Sequence, residues 1–318
     1  MLPKSQRPRP EYRHLAQRVA LGIVALFPSL LVAWLTQGGV LHTAEERLRD
    51  HLTPASTESV VARELIVVDI GESALRQISP WPWRRAQLAD LIEELLGPLQ
   101  ARAVALDMVL PAPADAAGDD RLASLARHAP LALALVPDLR SGHEDNGIGN
   151  HPGLDEARCV GHIGIATDDD GVLRRLRPHV RHEGHLYDML ALALLRCASA
   201  QPSAASLNAR WRADESESWR LPFRTANAAF TTVPAEAVLR GDVDPAQIRG
   251  KWVLVGSSAV GLSDYVATPL EPVTAGVLVH AQALTELLSE PPGANGVLAS
   301  RWQQAGACLL GLAIVAIG

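Results

Sequence analysis

Residues 19–35 read VALGIVALFPSLLVAWL, seventeen positions without a charge. Such a run restricts one end of the chain to entering a bilayer or being removed on export. With the less apolar flank to Leu41 it reaches the about 20 residues that a membrane helix needs. Pro28 would break a helix in water, but in a bilayer neighbouring helices and local adjustments re-satisfy the freed backbone groups. Trp34, near the far end, suits the aromatic belt at a membrane surface. No small-x-small cleavage site closely follows the run, so a retained anchor is expected over a cleaved leader.

Charge gives this anchor a direction. Five bases (Lys4, Arg7, Arg9, Arg13, Arg18) and one acid, Glu11, fall in the first eighteen positions, which predicts a cytoplasmic segment 1–18, a membrane helix 19–41 and an exported remainder. Removing those five bases and one acid from the 29 and 35 of the whole chain leaves 24 bases against 34 acids, a balance of −10. That excess repels phosphate backbones, so no nucleic-acid partner is expected. A second apolar run, AGACLLGLAIVAIG at 305–318, follows Arg301 and Trp302. Residues 302–318 therefore read as the start of a second membrane helix, interrupted by the end of the chain. Two of the three cysteines, Cys159 and Cys197, lie in the exported region, where one disulfide and two buried thiols are both open readings.

Between the two runs the pattern alternates strand and helix. Residues 64–70 (ELIVVDI) form a short continuous apolar stretch, the mark of a strand buried on both faces. From Arg85 through Leu88, Leu91, Ile92, Leu95, Leu96 and Leu99 the apolar residues recur at three- and four-residue spacing, which predicts a helix that frays at Gly97-Pro98. Strands follow at 103–109, 131–136, 160–166, 172–181 and 251–256, with helices at 119–128, 187–197 and 279–288 and a loop at 138–155. Residues 200–218 read as a polar surface excursion. The series predicts an α/β fold with a mostly parallel sheet flanked by helices, held outside the cytoplasm between membrane helices as one domain spanning 42–300.

Four islands, in order, carry a resemblance. They are Trp81-Pro82-Trp83-Arg84-Arg85; Ala105-Leu106-Asp107-Met108-Val109 followed by Asp119-Asp120; Asp168-Asp169-Asp170-Gly171 with Arg174-Arg175; and residues 251–256 running through Asp264, Thr268 and Pro269 to Gly276 and His280. The chain resembles the CHASE domains of the second type, extracellular sensory modules placed before bacterial cyclases and histidine kinases. It departs from that pattern at Ser79-Pro80, where glycine usually precedes the Trp-Pro-Trp, and at Leu106 and Leu110, where Phe is common. The resemblance implies a multi-pass receptor of the bacterial cytoplasmic membrane. Its sensor would lie on the periplasmic or extracellular side, its partners would be the membrane and an extracytoplasmic ligand or protein, and a homodimer would pass the signal to a cytoplasmic output domain. It supplies no catalytic residue and no cofactor, so an enzyme is not expected. The rival readings are a membrane-tethered hydrolase and a protein-interaction module of the envelope.

Single residues admit both a functional and a structural reading. Asp69 and Asp107 end two strands that read as adjacent, where open α/β sheets place their ligand crevice. Gly256, Ser257 and Ser258 follow another strand, so these five are the candidate ligand site, for a cation or a polyol. The alternative is that each aspartate caps the next turn. Residues 256–263 lack the lysine of a phosphate loop and the G-x-S-x-G of a nucleophile elbow. Trp81 and Trp83 are expected to pack a helix entry, with Arg84 or Arg85 paired to an acid, more than to form an aromatic platform. Asp168 to Asp170 with Gly171 fails the calcium-loop pattern, having His179 where the twelfth-position Glu belongs, and is expected to be a tight turn. His179, His182 and His185 flank Glu183-Gly184 and read as solvated residues of a hairpin tip, with no metal. His280 is expected to be a hydrogen-bonded core histidine.

Overall fold

The structure is a computed structural model and describes residues 40–52, 61–139, 146–198 and 218–289. The chain divides into two compact units, Met1–Pro54 and Ala55–Gly318. In the first, the described part is helix α1 (Val40–Leu52), whose last turn holds Arg49 and His51 at the negative end of the helix dipole. The expected segment 1–18 and the expected membrane helices at 19–41 and 302–318 lie outside the described residues, positions 40 and 41 of α1 excepted. Among the described residues no helix is long and apolar enough to cross a membrane.

The second unit is built on a sheet whose strands are β1 (Leu65–Asp69), β2 (Ala103–Leu106), β3 (Leu131–Leu135), β4 (Cys159–His162), β6 (His179–His182), β7 (His185–Met189), β9 (Thr231–Pro234) and β10 (Trp252–Gly256). They lie in the order β6-β7-β4-β3-β2-β10-β1-β9. Every pairing is parallel except β6 with β7. Two short pairs lie apart from this sheet: β5 (Arg175–Leu176) with β8 (Trp219–Arg220), and β11 (Tyr265–Val266) with β12 (Thr274–Ala275).

Alternation along the strands sorts side chains onto two faces. Ile66, Val68, Val104, Leu133 and Val253 meet α3 (Arg85–Leu96), α4 (Ala116–His128) and α6 (Ala235–Arg240), which follow the short helix α2 (Glu72–Gln77) in the chain and precede another, α7 (Pro245–Ile248). Leu65, Val67, Ala103, Ala132 and Leu254 meet α5 (Leu190–Ala198) and α8 (Gly276–Leu288). Residues 131–135, LALAL, put Leu131 and Leu133 on the first face and Ala132 and Ala134 on the second. The small side chains leave room for α5, and Gly161 of β4 leaves more: a Cβ there would sit 2.7 Å from Leu190 Cα. Cys159 of β4 is bonded to Cys197 of α5, with S–S 2.10 Å and Cα atoms 5.8 Å apart, which settles the two cysteine readings in favour of a disulfide.

One carboxylate ties α3 to α4. Asp115 accepts hydrogen bonds from Arg85 N at 2.7 Å, Ala86 N at 3.2 Å and Gly118 N at 3.2 Å, so it caps the amino ends of both helices. Arg85 is buried beside it, donating to Ala112 O at 2.7 Å and lying 3.4 Å from Asp119, the acid pairing expected for this arginine pair. Arg84 is exposed at the amino end of α3.

The structure corrects several sequence expectations; the strands expected at 103–109 and 160–166, for instance, end at Leu106 and His162. The helix expected at 187–197 begins at Leu190, because Tyr187 pairs with Val180 in the β6–β7 hairpin. The strand expected at 172–181 is broken between β5 and β6, where Pro178, which has no N–H, accepts from Met189 N. The hairpin turn itself is as expected, with Glu183 at φ 48° and Gly184 at φ 75°, but its histidines are not all solvated. His179 and His182 are buried, and His179 Nδ1 hydrogen-bonds Asp188 at 2.9 Å, while His185 is exposed. Finally, β1 and β2 are not neighbours: β10 lies between them. Most of the excursion expected at 200–218 lies outside the described residues, as do positions 140–145 of the expected loop.

Candidate functional site

β2 and β10 lie side by side, yet their exits diverge: β2 leads to α4 on one face of the sheet and β10 leads to α8 on the other. Beyond the carboxyl ends of strands that part in this way, an open parallel sheet leaves a crevice. A cavity of about 260 Å³ occupies that place. Asp107, after β2, and Ser257, after β10, contribute to its wall, as do Gly276 and His280 from α8 and Asp264 from the segment before β11. Val109, Val136, Ile163, Ile165 and Leu262 supply apolar surface and Trp81 an indole.

Of the five expected ligand residues, the structure brings Asp107 and Ser257 to this cavity. Asp69 is engaged elsewhere: its carboxylate accepts from Ser258 N at 2.7 Å and from Ser258 Oγ at 2.6 Å, and so caps the turn after β10. Gly256 serves the approach of α8, since a Cβ there would meet Val277 at 2.6 Å. Ser257 Oγ donates to Ile70 O at 2.8 Å, which joins the same turn to the end of β1.

The motif residues divide in a similar way. Trp83 is 1% exposed and donates Nε1–H to Ser79 O at 2.9 Å, the helix-entry packing that was expected. Trp81, joined to Pro82 by a cis peptide bond, is half-buried; it packs against the same core as Trp83, as expected, and also lines the cavity. Asp170 and Gly171, with φ 81° at the glycine, form the expected tight turn. Asp168 and Asp170 clasp the buried guanidinium of Arg174, with contacts at 3.0 Å and 2.8 Å. Thr268 Oγ1 accepts from Glu271 N at 3.1 Å in the β11–β12 connection that contains Pro269. Asp264 O accepts from Gly276 N at 2.9 Å, fixing the cavity mouth to the first turn of α8.

His280 is buried as expected but is not hydrogen-bonded: among the described residues its ring makes no hydrogen bond, and Nε2 stands 3.7 Å from Asp107 Oδ1. Burial raises the pKa of Asp107 above the ordinary carboxylate value, with Asp264 adding to the effect and His280 opposing it. Behind this pair lies His162, at the end of β4. Burial, helped by His280, lowers its pKa to about 3. Sequence reasoning missed the apolar wall, whose one signal was that Val109, Val136, Ile163 and Ile165 follow the ends of parallel strands.

The histidine has a measurable consequence. Unfolded, His162 would titrate near about 6.5, so in the window between that value and about 3 the unfolded chain carries the extra proton. Its contribution to stability is whole above the unfolded value and is lost on acidification, at up to about 1.4 kcal/mol per pH unit. Asp107 acts in the opposite sense, since a raised carboxylate pKa weakens the fold as pH rises. Urea unfolding of His162→Gln should therefore show a flatter loss of stability on acidification than the parent, whereas an unchanged slope would place the acid sensitivity elsewhere.

The comparisons extend this picture from the site to the chain. No curated protein and no solved structure matches the chain. The family described as the CHASE2 domain matches residues 24–318, almost the whole length. The chain therefore belongs to the CHASE2 domain family, the sensory domains of membrane receptors.

Proposed function

We propose that the chain is the extracytoplasmic sensory domain of a multi-pass receptor in a bacterial cytoplasmic membrane. It binds a ligand on the outer side and relays that event, as a homodimer, to a cyclase, histidine kinase or diguanylate cyclase on the inner side. The chain itself is not an enzyme in this reading. The observation that carries the proposal is the cavity at the diverging strand ends, where a buried carboxylate and an apolar wall await a small molecule. The Cys159–Cys197 bridge supports the outer location, because disulfides persist in oxidising compartments. The hydrolase reading loses its paired carboxylates, since Asp69 is held by Ser258 and β10 separates the two strands.

Location is testable on whole cells. Ser258 is exposed, so Ser258→Cys in a Cys308→Ala chain should react with a membrane-impermeant maleimide on intact spheroplasts, while Ser5→Cys in the same background should react only after lysis. Labelling of position 258 only after lysis would overturn the extracytoplasmic reading.

A further inference from the structure

The cavity has a chemical sign. Its two carboxylates, Asp107 at the floor and Asp264 at the exposed mouth, have no lysine or arginine beside them in the wall. The Asp107 side chain is 10% exposed and its carboxylate accepts no hydrogen bond among the described residues, and His280 stands 3.7 Å from it. A buried carboxylate without donors is costly, and the cost falls when a donor or a positive charge arrives. An anionic ligand would add to the repulsion. A bare divalent cation would need six or more oxygen ligands or a histidine and cysteine set, and among the described residues no group of three such side chains is arranged to hold a metal.

The rest of the wall is hydrocarbon. Val109, Val136, Ile163, Ile165 and Leu262 offer a surface that a hydrated ion cannot use and an alkyl group can. Trp81 adds an indole, the best aromatic partner for an organic cation. At about 260 Å³ the space lies just below the range of about 300–1,000 Å³ that holds drug-sized molecules, which restricts the occupant to a small one.

We propose that this cavity binds a small organic ammonium ion, its charged head between Asp107 and Asp264 and its hydrocarbon part along Val109, Val136, Ile163 and Ile165. The assignment rests on the sensory reading above and names the class of signal. Binding carries a pH signature. The groups facing Asp107 are His280 from α8 and Asp264 from the mouth, with His162 of β4 behind His280. Because Asp107 holds its proton more tightly than an ordinary carboxylate, affinity for a cation should rise with pH as that proton is lost, and Asp107→Asn should abolish both binding and its pH dependence.

The test is thermal unfolding of the purified full chain in detergent, at constant ionic strength, with n-butylammonium and tetramethylammonium against n-butanol and butyrate. The ammonium ions should raise the midpoint saturably by about 2–4 °C or more, the neutral and anionic probes should not, and Asp107→Asn should lose the response. That variant should also unfold at a higher temperature than the parent without ligand, since it removes an unpaired buried charge, so lost response cannot be confused with lost folding. A shift with butanol or butyrate alone, or no shift with any probe, would overturn the ammonium assignment. Neither result touches the extracytoplasmic location, which the maleimide experiment decides separately.

Discussion

Replacing Cys159 and Cys197 together by serine should remove about 4 kcal/mol of stability and lower the unfolding midpoint by roughly 8–16 °C. The first figure follows from the sequence separation of 38 between the two cysteines, through the loss of loop-closure entropy that the bridge imposes on the unfolded chain. The second follows from the about 2–4 °C per kcal/mol typical of domains this large. The effect should be felt on one side of the sheet first, because α5 covers the face carrying Ala103 and Ala132 and is bound to β4 by this bond. Thermal unfolding of the double variant, with the parent under reducing conditions as a second route to the same state, measures it. A midpoint unchanged in both would show that the bridge does not form in the folded protein.

Gly118→Ala should be the most damaging methyl group in the second unit, at about 3–5 kcal/mol. A Cβ at that position would lie 2.1 Å from Ala86 N and 2.6 Å from Arg85 C, backbone atoms that cannot swing aside, and 2.2 Å from Asp115 Oδ2. Overpacking alone costs about 1–3 kcal/mol. Here it also dislodges the carboxylate that caps α3 and α4, each cap being worth about 0.5–2 kcal/mol. Asp115→Ala, which removes the caps without adding volume, should cost less, about 2–3 kcal/mol. The double variant should fall short of the sum, since both changes remove the same hydrogen bonds. Urea unfolding of the three chains gives the comparison, and strict additivity would mean that the carboxylate is not what links the two helices.

Much of the central sheet was legible in the sequence because burial on two faces leaves a plain mark. The apolar runs at 65–68 and 252–255 appear in β1 and β10, and the spacing of Leu88, Leu91, Ile92 and Leu95 gave α3. β9, residues 231–234, escaped because an edge strand that exposes Thr231, Thr232 and Pro234 and buries Val233 has no such run. His179 and His182 were read as solvated because sequence shows polarity but not the partner: Asp188, nine residues on, supplies the hydrogen bond that makes the burial of His179 tolerable. The candidate site was legible only in part. Asp107 stands out as an acid ending an apolar strand, as does Asp69, and nothing local tells the two apart. The difference lies in Ser258, 189 residues from Asp69, and in the insertion of β10 between β1 and β2, a matter of strand order that no window of sequence contains.

The last helix has a mechanical property that follows from where it begins. α8 runs thirteen residues from Gly276, about 20 Å at 1.5 Å per residue, and its first turns form part of the cavity wall through Gly276 and His280. A hydrogen-bonded helix resists compression along its axis, so it behaves as a stiff rod with its foot in the wall of the crevice. A tilt of a few degrees at that foot would become a displacement on the order of 1 Å at Leu288, the last residue of the helix.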